Sequence, residues 1–211
     1  MKALVISGGK SPSQELIYEE LKDSSLLIAV DSGANALYNL GIAPDLILGD
    51  FDSIDKEVLE YFKAKDADIV KYPPEKDLTD SEIAINLLIE RNYDEIVLLG
   101  CTGSRMDHFL GNLGLLKKCL LRKVKATIKD DNNSIFVTDR PLTLQGRPKQ
   151  IISFQAFGDE IPNFTIKNAR YPLNNYNLKI GDSLTVSNEF IEGPMSIEFE
   201  KGYVLVIYAK D

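Results

Sequence analysis

Long basic clusters are missing from this 211-residue chain, and its formal charge is −8. Nucleic acids and anionic membrane surfaces need a basic footprint, so neither is expected as a partner. A cationic small molecule suits the charge better. Cysteine is scarce: Cys101 and Cys119 are the only two, and they are expected to be free thiols rather than a bridge. No apolar run approaches transmembrane length, and the run at 3–6 is too short for a signal-peptide core, which leads to the expectation of a cytoplasmic protein. Internal repeats, low-complexity tracts and long linkers are absent as well. What is present is 44% hydrophobic residues, enough for one large domain or two small ones.

The first 125 residues alternate short apolar runs with helix-like segments. Runs at 3–6, 26–30, 46–48, 68–71, 96–99 and 124–128 read as strands, several of them apolar throughout, as expected when both faces of a sheet are covered. The pattern predicts an α/β domain with a mainly parallel sheet. Ser11-Pro12-Ser13-Gln14 reads as a helix start with proline at the first helical position, the helix running to about Lys22. Thr79-Asp80-Ser81-Glu82 is a second capping box, and the leucine-rich stretch 109–121 is a third helix. Beyond Asp130 the helical period gives way to alternation with period two, as in Ile152, Phe154 and Ala156. Lys201-Gly202 separates two strand-like runs, 196–200 and 203–208, in the manner of a tight hairpin. Residues 126–211 are therefore expected to form a smaller all-β antiparallel sandwich, the boundary falling between Arg122 and Asp131.

The chemistry gathers at strand ends. Pro44-Asp45-Leu46-Ile47-Leu48-Gly49-Asp50-Phe51-Asp52-Ser53 closes an apolar run with two carboxylates at i and i+2, which an extended backbone aims to one side. A cation between them would offset their repulsion; a solvated turn that flatters the next helix is the plainer alternative. Gly9-Lys10-Ser11 imitates the end of a phosphate-binding P-loop, but Leu4 stands where its first glycine belongs, so that motif is rejected. Gly8 and Gly9 still offer backbone N–H groups to a phosphate or ribose, or form a plain tight turn. Asp31 and Gly33 end the second strand similarly, as a ligand crevice at strand ends or as a helix cap. Asp77 and Asp80 precede the capped helix. Gly100 to His108 adds Gly103, Arg105 with its planar fork for phosphate oxygens, Asp107, and the only histidine, His108, which is a structural hydrogen-bonder or a catalyst.

Pro44-Asp45 with Gly49-Asp50-Phe51-Asp52-Ser53, then Lys76-Asp77-Leu78-Thr79-Asp80, then Gly100, Gly103, Arg105, Asp107 and His108, and finally Ser187-Asn188-Glu189-Phe190, resemble in order and spacing the motifs of the thiamine pyrophosphokinases. The resemblance spans nearly the whole chain. It implies an N-terminal domain that holds ATP and magnesium, a C-terminal β-sandwich, and a homodimer with thiamine bound where the subunits meet. It also implies the reaction of thiamine with ATP to give thiamine diphosphate and AMP. By the same resemblance Asp50, Asp52, Asp77 and Asp80 are metal ligands. Gly103, Arg105 and His108 face the nucleotide, beside Gly8, Gly9, Asp31 and Gly33 as read from their strand ends, and Asp80, Arg105 and Asp107 are catalytic, either aspartate being a candidate to accept the thiamine proton. Ser187 and Asn188 meet thiamine. Some relatives set a tryptophan against thiamine; this chain has none, and Phe190 or Tyr203 are the substitutes considered.

Two rival readings use the same residues. A haloacid-dehalogenase-type phosphatase would make Asp50 a covalent nucleophile, since 46–53 also resembles that family's strand and Asp-x-Asp, but it leaves Arg105 and Asp107 without a role. A thiamine or nucleotide sensor would bind without turnover.

Overall fold

The structure, a computed structural model, describes residues 1–65, 67–75 and 77–210. Two compact units divide the chain, Met1–Asp131 and Asn132–Asp211.

The first unit follows strand with helix: β1 (Lys2–Ile6), α1 (Gln14–Leu21), β2 (Leu26–Val30), α2 (Gly33–Asn39), β3 (Leu46–Gly49), α3 (Lys56–Lys63), β4 (Asp68–Lys71), α4 (Asp80–Glu90), β5 (Glu95–Leu99), α5 (Met106–Leu121) and β6 (Lys125–Lys129). All the pairings are parallel, in the order β6-β5-β1-β2-β3-β4. Val5 of β1 is flanked by Ile28 on one side and Leu98 on the other. The chain thus winds outward from β1 to β4, then returns to β1's free side with β5. Such a reversal of strand order leaves a crevice outside the strand ends between β1 and β5. Continuous apolar strands bury both faces, with Leu4, Ile6, Ala29 and Ile47 completely enclosed.

Helix starts follow local chemistry. Thr79 Oγ1 accepts from the Glu82 N–H at 3.2 Å, as the capping box predicts. For α1 the expected cap shifts: Ser13, not Ser11, is extended and accepts from Leu16 N–H. Pro12 therefore lies outside the helix, because Ser13 supplies a capping hydroxyl one residue after it. Likewise α5 begins a turn before residue 109, at Met106.

One buried charge ties α1 to the sheet. Glu20, 4% exposed, accepts from Lys2 of β1 at 2.9 Å and pairs with Lys129 of β6. Burial pushes its carboxyl upward, but the two ammonium groups outweigh that and hold it below the usual range. A lowered acid stabilises the fold above its unfolded pKa and loses that contribution as pH falls through the folded value. Glu20→Gln should therefore cost about 2–4 kcal/mol at pH 7, roughly 5–10 °C in Tm, by leaving two cations underpaired. The gap to wild type should close as pH drops below about 4, near the free glutamate pKa. A constant gap from pH 7 to 3.5 in thermal unfolding would contradict this account.

The second unit contains β7 (Asn133–Thr138), β8 (Leu142–Leu144), β9 (Ile151–Ala156), β10 (Ile161–Lys167), β11 (Leu173–Leu178), β12 (Asn188–Glu189), β13 (Met195–Glu198) and β14 (Val204–Ala209). They form two antiparallel layers, β12-β9-β14-β7 and β11-β10-β13-β8. Phe154 and Phe164 meet at 5.6 Å in the core between them. The expected hairpin at Lys201-Gly202 does not form. β13 pairs with β8 and β10, whereas β14 pairs with β7 and β9, so residues 199–203 cross from one layer to the other. Buried Phe199 fills the interior at that crossing, which alternation alone could not distinguish from a paired strand.

Cys101 and Cys119 are both buried free thiols. Among the described residues no helix is long and apolar enough to cross a membrane.

Candidate functional site

The loops after β1, β2, β3 and β5 lie at one end of the parallel sheet, those after β1 and β5 flanking the reversal of strand order. Gly9 N–H donates to Gly100 O at 2.8 Å and Lys10 N–H to Thr102 O at 2.6 Å, joining the turn after β1 to the one after β5. A Cβ on Gly9 would stand 2.3 Å from Thr102 O, so only glycine permits this approach. Asn112 from α5 donates to Cys101 O at 3.1 Å and pins the second turn from behind.

Asp31 is the centre of the acidic group. It adopts φ +47, its N–H donates to Leu48 O at 3.0 Å, and its Oδ1 accepts from Phe51 N–H at 3.2 Å. Burial, then the charge of Asp80, then that of Asp50 push its carboxyl up to about 7 against the Phe51 N–H; a hydrogen bond with the Asp80 side chain acts in the same direction. Carboxylates from three strand–helix connections thus converge. Hard oxygen donors of this kind fit Mg²⁺, whose charge would relieve their repulsion. Among the described residues, no three acidic, cysteine or histidine side chains are gathered closely enough to enclose an ion as they stand.

Asp50 and Asp52 are related differently from the expected extended pair. Phe51 has φ +65, a left-handed conformation, and Asp52 N–H donates to Asp50 Oδ1 at 3.1 Å. The segment is a tight aspartate turn, because the chain must swing from β3 toward α3, and the strand rule of alternating sides no longer applies. Asp52 is exposed. The cap position of α3 is Asp55.

The remaining acids occupy two other places. Asp77 is exposed and borders an open groove of about 530 Å³ with Tyr72, Leu78, Ile83 and Leu87. Asp107 holds Arg105 in a two-pronged pair, Nε to Oδ1 at 3.2 Å and Nη2 to Oδ2 at 2.6 Å. That guanidinium, aided by the His108 N–H, brings the Asp107 carboxyl down to about 2 despite some desolvation. His108 is exposed in the first turn of α5. Gly8 and Gly33 are packing glycines: added Cβ atoms would lie 2.2 Å from Ser32 Oγ and 2.0 Å from Ile6 O. Gly103, at φ +151, faces Lys10 N.

In the second unit Ser187 has φ +57, and its N–H donates to Ser153 Oγ at 2.9 Å. Asn188 is 2% exposed. Its Oδ1 accepts from Tyr171 N–H at 3.1 Å and Glu189 N–H at 2.8 Å, and its Nδ2 donates to Tyr171 O at 2.7 Å. Three of the four positions on the amide are spent on local backbone. Asn188 therefore sets the backbone of Tyr171, an exposed aromatic with Arg170 over its ring at 5.2 Å. Phe190 is 1% exposed and stacks on Tyr208 at 5.8 Å, which makes it a core residue and excludes it as a wall for a ligand. Tyr203 is half-buried.

Sequence reasoning places Ser7 at a strand end and Ser81 in a capping box without giving either side chain a role, and it passes over Tyr171. Single serines give no pattern, and Tyr171 acquires interest only through the Asn188 amide, 17 residues away.

The chain matches two family models. Residues 17–128 match the model described as thiamin pyrophosphokinase, catalytic domain, and residues 140–204 the model described as thiamin pyrophosphokinase, vitamin B1 binding domain. It is 35% identical over 191 residues to the thiamine pyrophosphokinase of Bacillus subtilis (strain 168), covering 90% of this chain and 89% of that one. The crystal structure of thiamine pyrophosphokinase from Bacillus subtilis superimposes with a TM-score of 0.89 at 32% identity, all of both chains being covered. That of thiamin pyrophosphokinase from Geobacillus thermodenitrificans gives 0.86 at 30% identity, over 100% of this chain and 98% of that one.

Proposed function

This chain belongs to the thiamine pyrophosphokinase family, and we propose that it transfers the pyrophosphoryl group of ATP to the hydroxyethyl oxygen of thiamine, giving thiamine diphosphate and AMP. The observation that carries the reading is the meeting of Asp31, Asp50 and Asp80 beyond the ends of β2 and β3, on the side of the sheet where the loops after β1 and β5 also lie. In the reaction the thiamine oxygen bonds to the β-phosphorus, the bond from that phosphorus to the α–β bridging oxygen breaks, and AMP departs with the bridging oxygen. The hydroxyl proton passes to a carboxylate.

Asp50, Asp52, Asp77 and Asp80 are proposed to hold Mg²⁺, Asp50 and Asp80 from the converged group and the exposed pair by turning inward. When bound, the ion would screen these carboxylates from the triphosphate and spread its developing negative charge. Gly8, Gly9, Asp31, Gly33, Gly103 and His108 border the nucleotide in this proposal. Arg105, oriented by Asp107, offers its remaining N–H groups to phosphate oxygens. A base works best with a pKa near the operating pH, and Asp107 at about 2 is too weak. That leaves Asp80, the other candidate, as the proposed acceptor. The thiazolium cation suits both the acidic site and the net charge of −8.

Ser187 and the Tyr171 turn set by Asn188 are proposed to receive thiamine. Asn188→Ala should raise KM for thiamine about 10-fold, through loss of two or more buried hydrogen bonds to that turn, with KM for ATP changed less than twofold. Initial rates with each substrate varied would show it, and a larger change in KM for ATP would separate this loop from thiamine. The active form is proposed to be a homodimer with active sites where subunits meet; light scattering would report the mass.

The decisive test is incubation of the purified protein with thiamine, ATP and Mg²⁺. Equal amounts of thiamine diphosphate and AMP are expected. Release of inorganic phosphate, or binding of both substrates without AMP, would overturn the proposal in favour of a phosphatase or a sensor.

A further inference from the structure

Ser7, 7% exposed, is the first residue beyond β1, at the crevice between β1 and β5. Its N–H donates to Leu99 O at 2.9 Å, which fixes its backbone to the end of β5. Two groups meet its hydroxyl. Cys101 Sγ lies at 3.5 Å as donor, and Ser81 Oγ at 2.9 Å. Burial keeps the Cys101 thiol protonated, its pKa pushed up to about 11. The thiol donates to Ser7, and between Ser7 and Ser81 either hydroxyl can donate, so the contacts form one chain that joins Cys101, Ser7 and Ser81.

Ser81 is the second residue of α4, and Asp80 is the first. The apolar anchors of that helix, Ala84, Ile85 and Leu88, begin four residues beyond Asp80. Thr79 caps only the helix's own N–H groups. The charge of Asp80, in the first turn, acts on Asp31, and a hydrogen bond joins the two side chains. The Ser7–Ser81 contact crosses from the end of β1 to that turn and fixes where it stands.

We propose that Ser7 and Ser81 are positioning residues: their hydrogen bond clamps the start of α4 to the end of β1 and so fixes the place of Asp80 beside Asp31, from which the acids close on a divalent ion when it binds. The inference rests on the magnesium–nucleotide reading above. It predicts a particular energetic signature. The two hydroxyls hold α4 only through each other, and the loss should fall on metal-dependent nucleotide binding rather than on thiamine.

The test is calorimetric titration of a non-hydrolysable ATP analogue into wild type, Ser7→Ala, Ser81→Ala, the double variant and Ser81→Thr, with and without Mg²⁺. Each alanine variant should weaken Mg²⁺-dependent binding about 5–10-fold, the double variant no more than either single one, and Ser81→Thr should restore most of the affinity. KM for thiamine should stay within twofold, and Tm within about 2 °C, so that a merely structural loss is distinguishable. Wild-type binding that needs Mg²⁺, joined to unchanged binding in both single variants or to multiplicative losses in the double, would overturn the clamp alone. Wild-type binding indifferent to Mg²⁺ would overturn the underlying reading and the clamp with it. Should Ser7→Ala fold poorly, Ser81→Ala and its threonine counterpart decide the matter by themselves.

Discussion

Asp80→Asn should lower the rate of thiamine diphosphate formation by about 10³-fold, within the range a general base supplies, while raising the Tm of the metal-free protein by about 1–3 °C. The two effects have one origin. After burial, the charge of Asp80 is the largest cause that pushes the half-buried Asp31 carboxyl up to about 7, and Asp50 adds to it. Removing that charge relieves the apo protein and deprives the site of a ligand and a proton acceptor. A smaller cost opposes the gain, because Asp80 stands in the first turn of α4, where a negative charge favours the helix by about 0.3–1 kcal/mol. Wild type should gain Tm on adding Mg²⁺ with the ATP analogue, and Asp80→Asn should gain far less. Asp107→Asn offers the contrast: it loosens only the brace on Arg105 and should slow turnover less than Asp80→Asn. A Tm below wild type in chelator, or activity within tenfold of it, would remove Asp80 from the role assigned to it.

The parts of this arrangement differ in how visible they are in the sequence. Strand ends are legible because an apolar run that stops at Gly or Asp announces itself, as 26–30 before Asp31 and 46–48 before Gly49 do. The Thr79 cap is legible for a similar reason: four adjacent residues contain all its chemistry. Which acids meet is another matter. Asp31 reads as a nucleotide-facing residue or a cap, and its place at the centre of the acids depends on β2 lying between β1 and β3, a fact of strand order. Asp50 and Asp52 invite the extended-strand rule, but a single left-handed residue, Phe51, breaks it. No composition cue marks a phenylalanine for φ +65.

Partnerships distant in sequence are the least visible. Ser7 and Ser81 are 74 residues apart, and Asn188 reaches back to Tyr171. The crossing at 199–203 shows the same limit in the second unit. Alternation tells which side chains of β13 and β14 point inward, but not that the two strands lie in different layers, since both layers present the same pattern to one core.

Gly49 joins fold and site most tightly, and Gly49→Ala should be the most damaging change of a single methyl group. A Cβ at this position would stand 1.8 Å from Asp31 Oδ1 and 2.5 Å from its Cγ, on a backbone with φ +151 that L-residues rarely adopt. Either Asp31 must turn away, forfeiting its bond from Phe51 N–H, or the end of β3 must shift and take Asp50 with it. The expected cost is about 2–4 kcal/mol, roughly 5–10 °C in Tm, with turnover reduced at least 100-fold. Two sources of strain are separable by a second substitution. Asp31→Ala removes the obstructing carboxylate, so the double variant Gly49→Ala/Asp31→Ala should be more stable than the sum of the single changes predicts, yet no more active than Gly49→Ala. If the two losses of stability simply add, the strain lies in the backbone conformation of residue 49 rather than in its contact with Asp31. If Gly49→Ala retains wild-type Tm and turnover, the close approach of β3 to Asp31 does not shape the site.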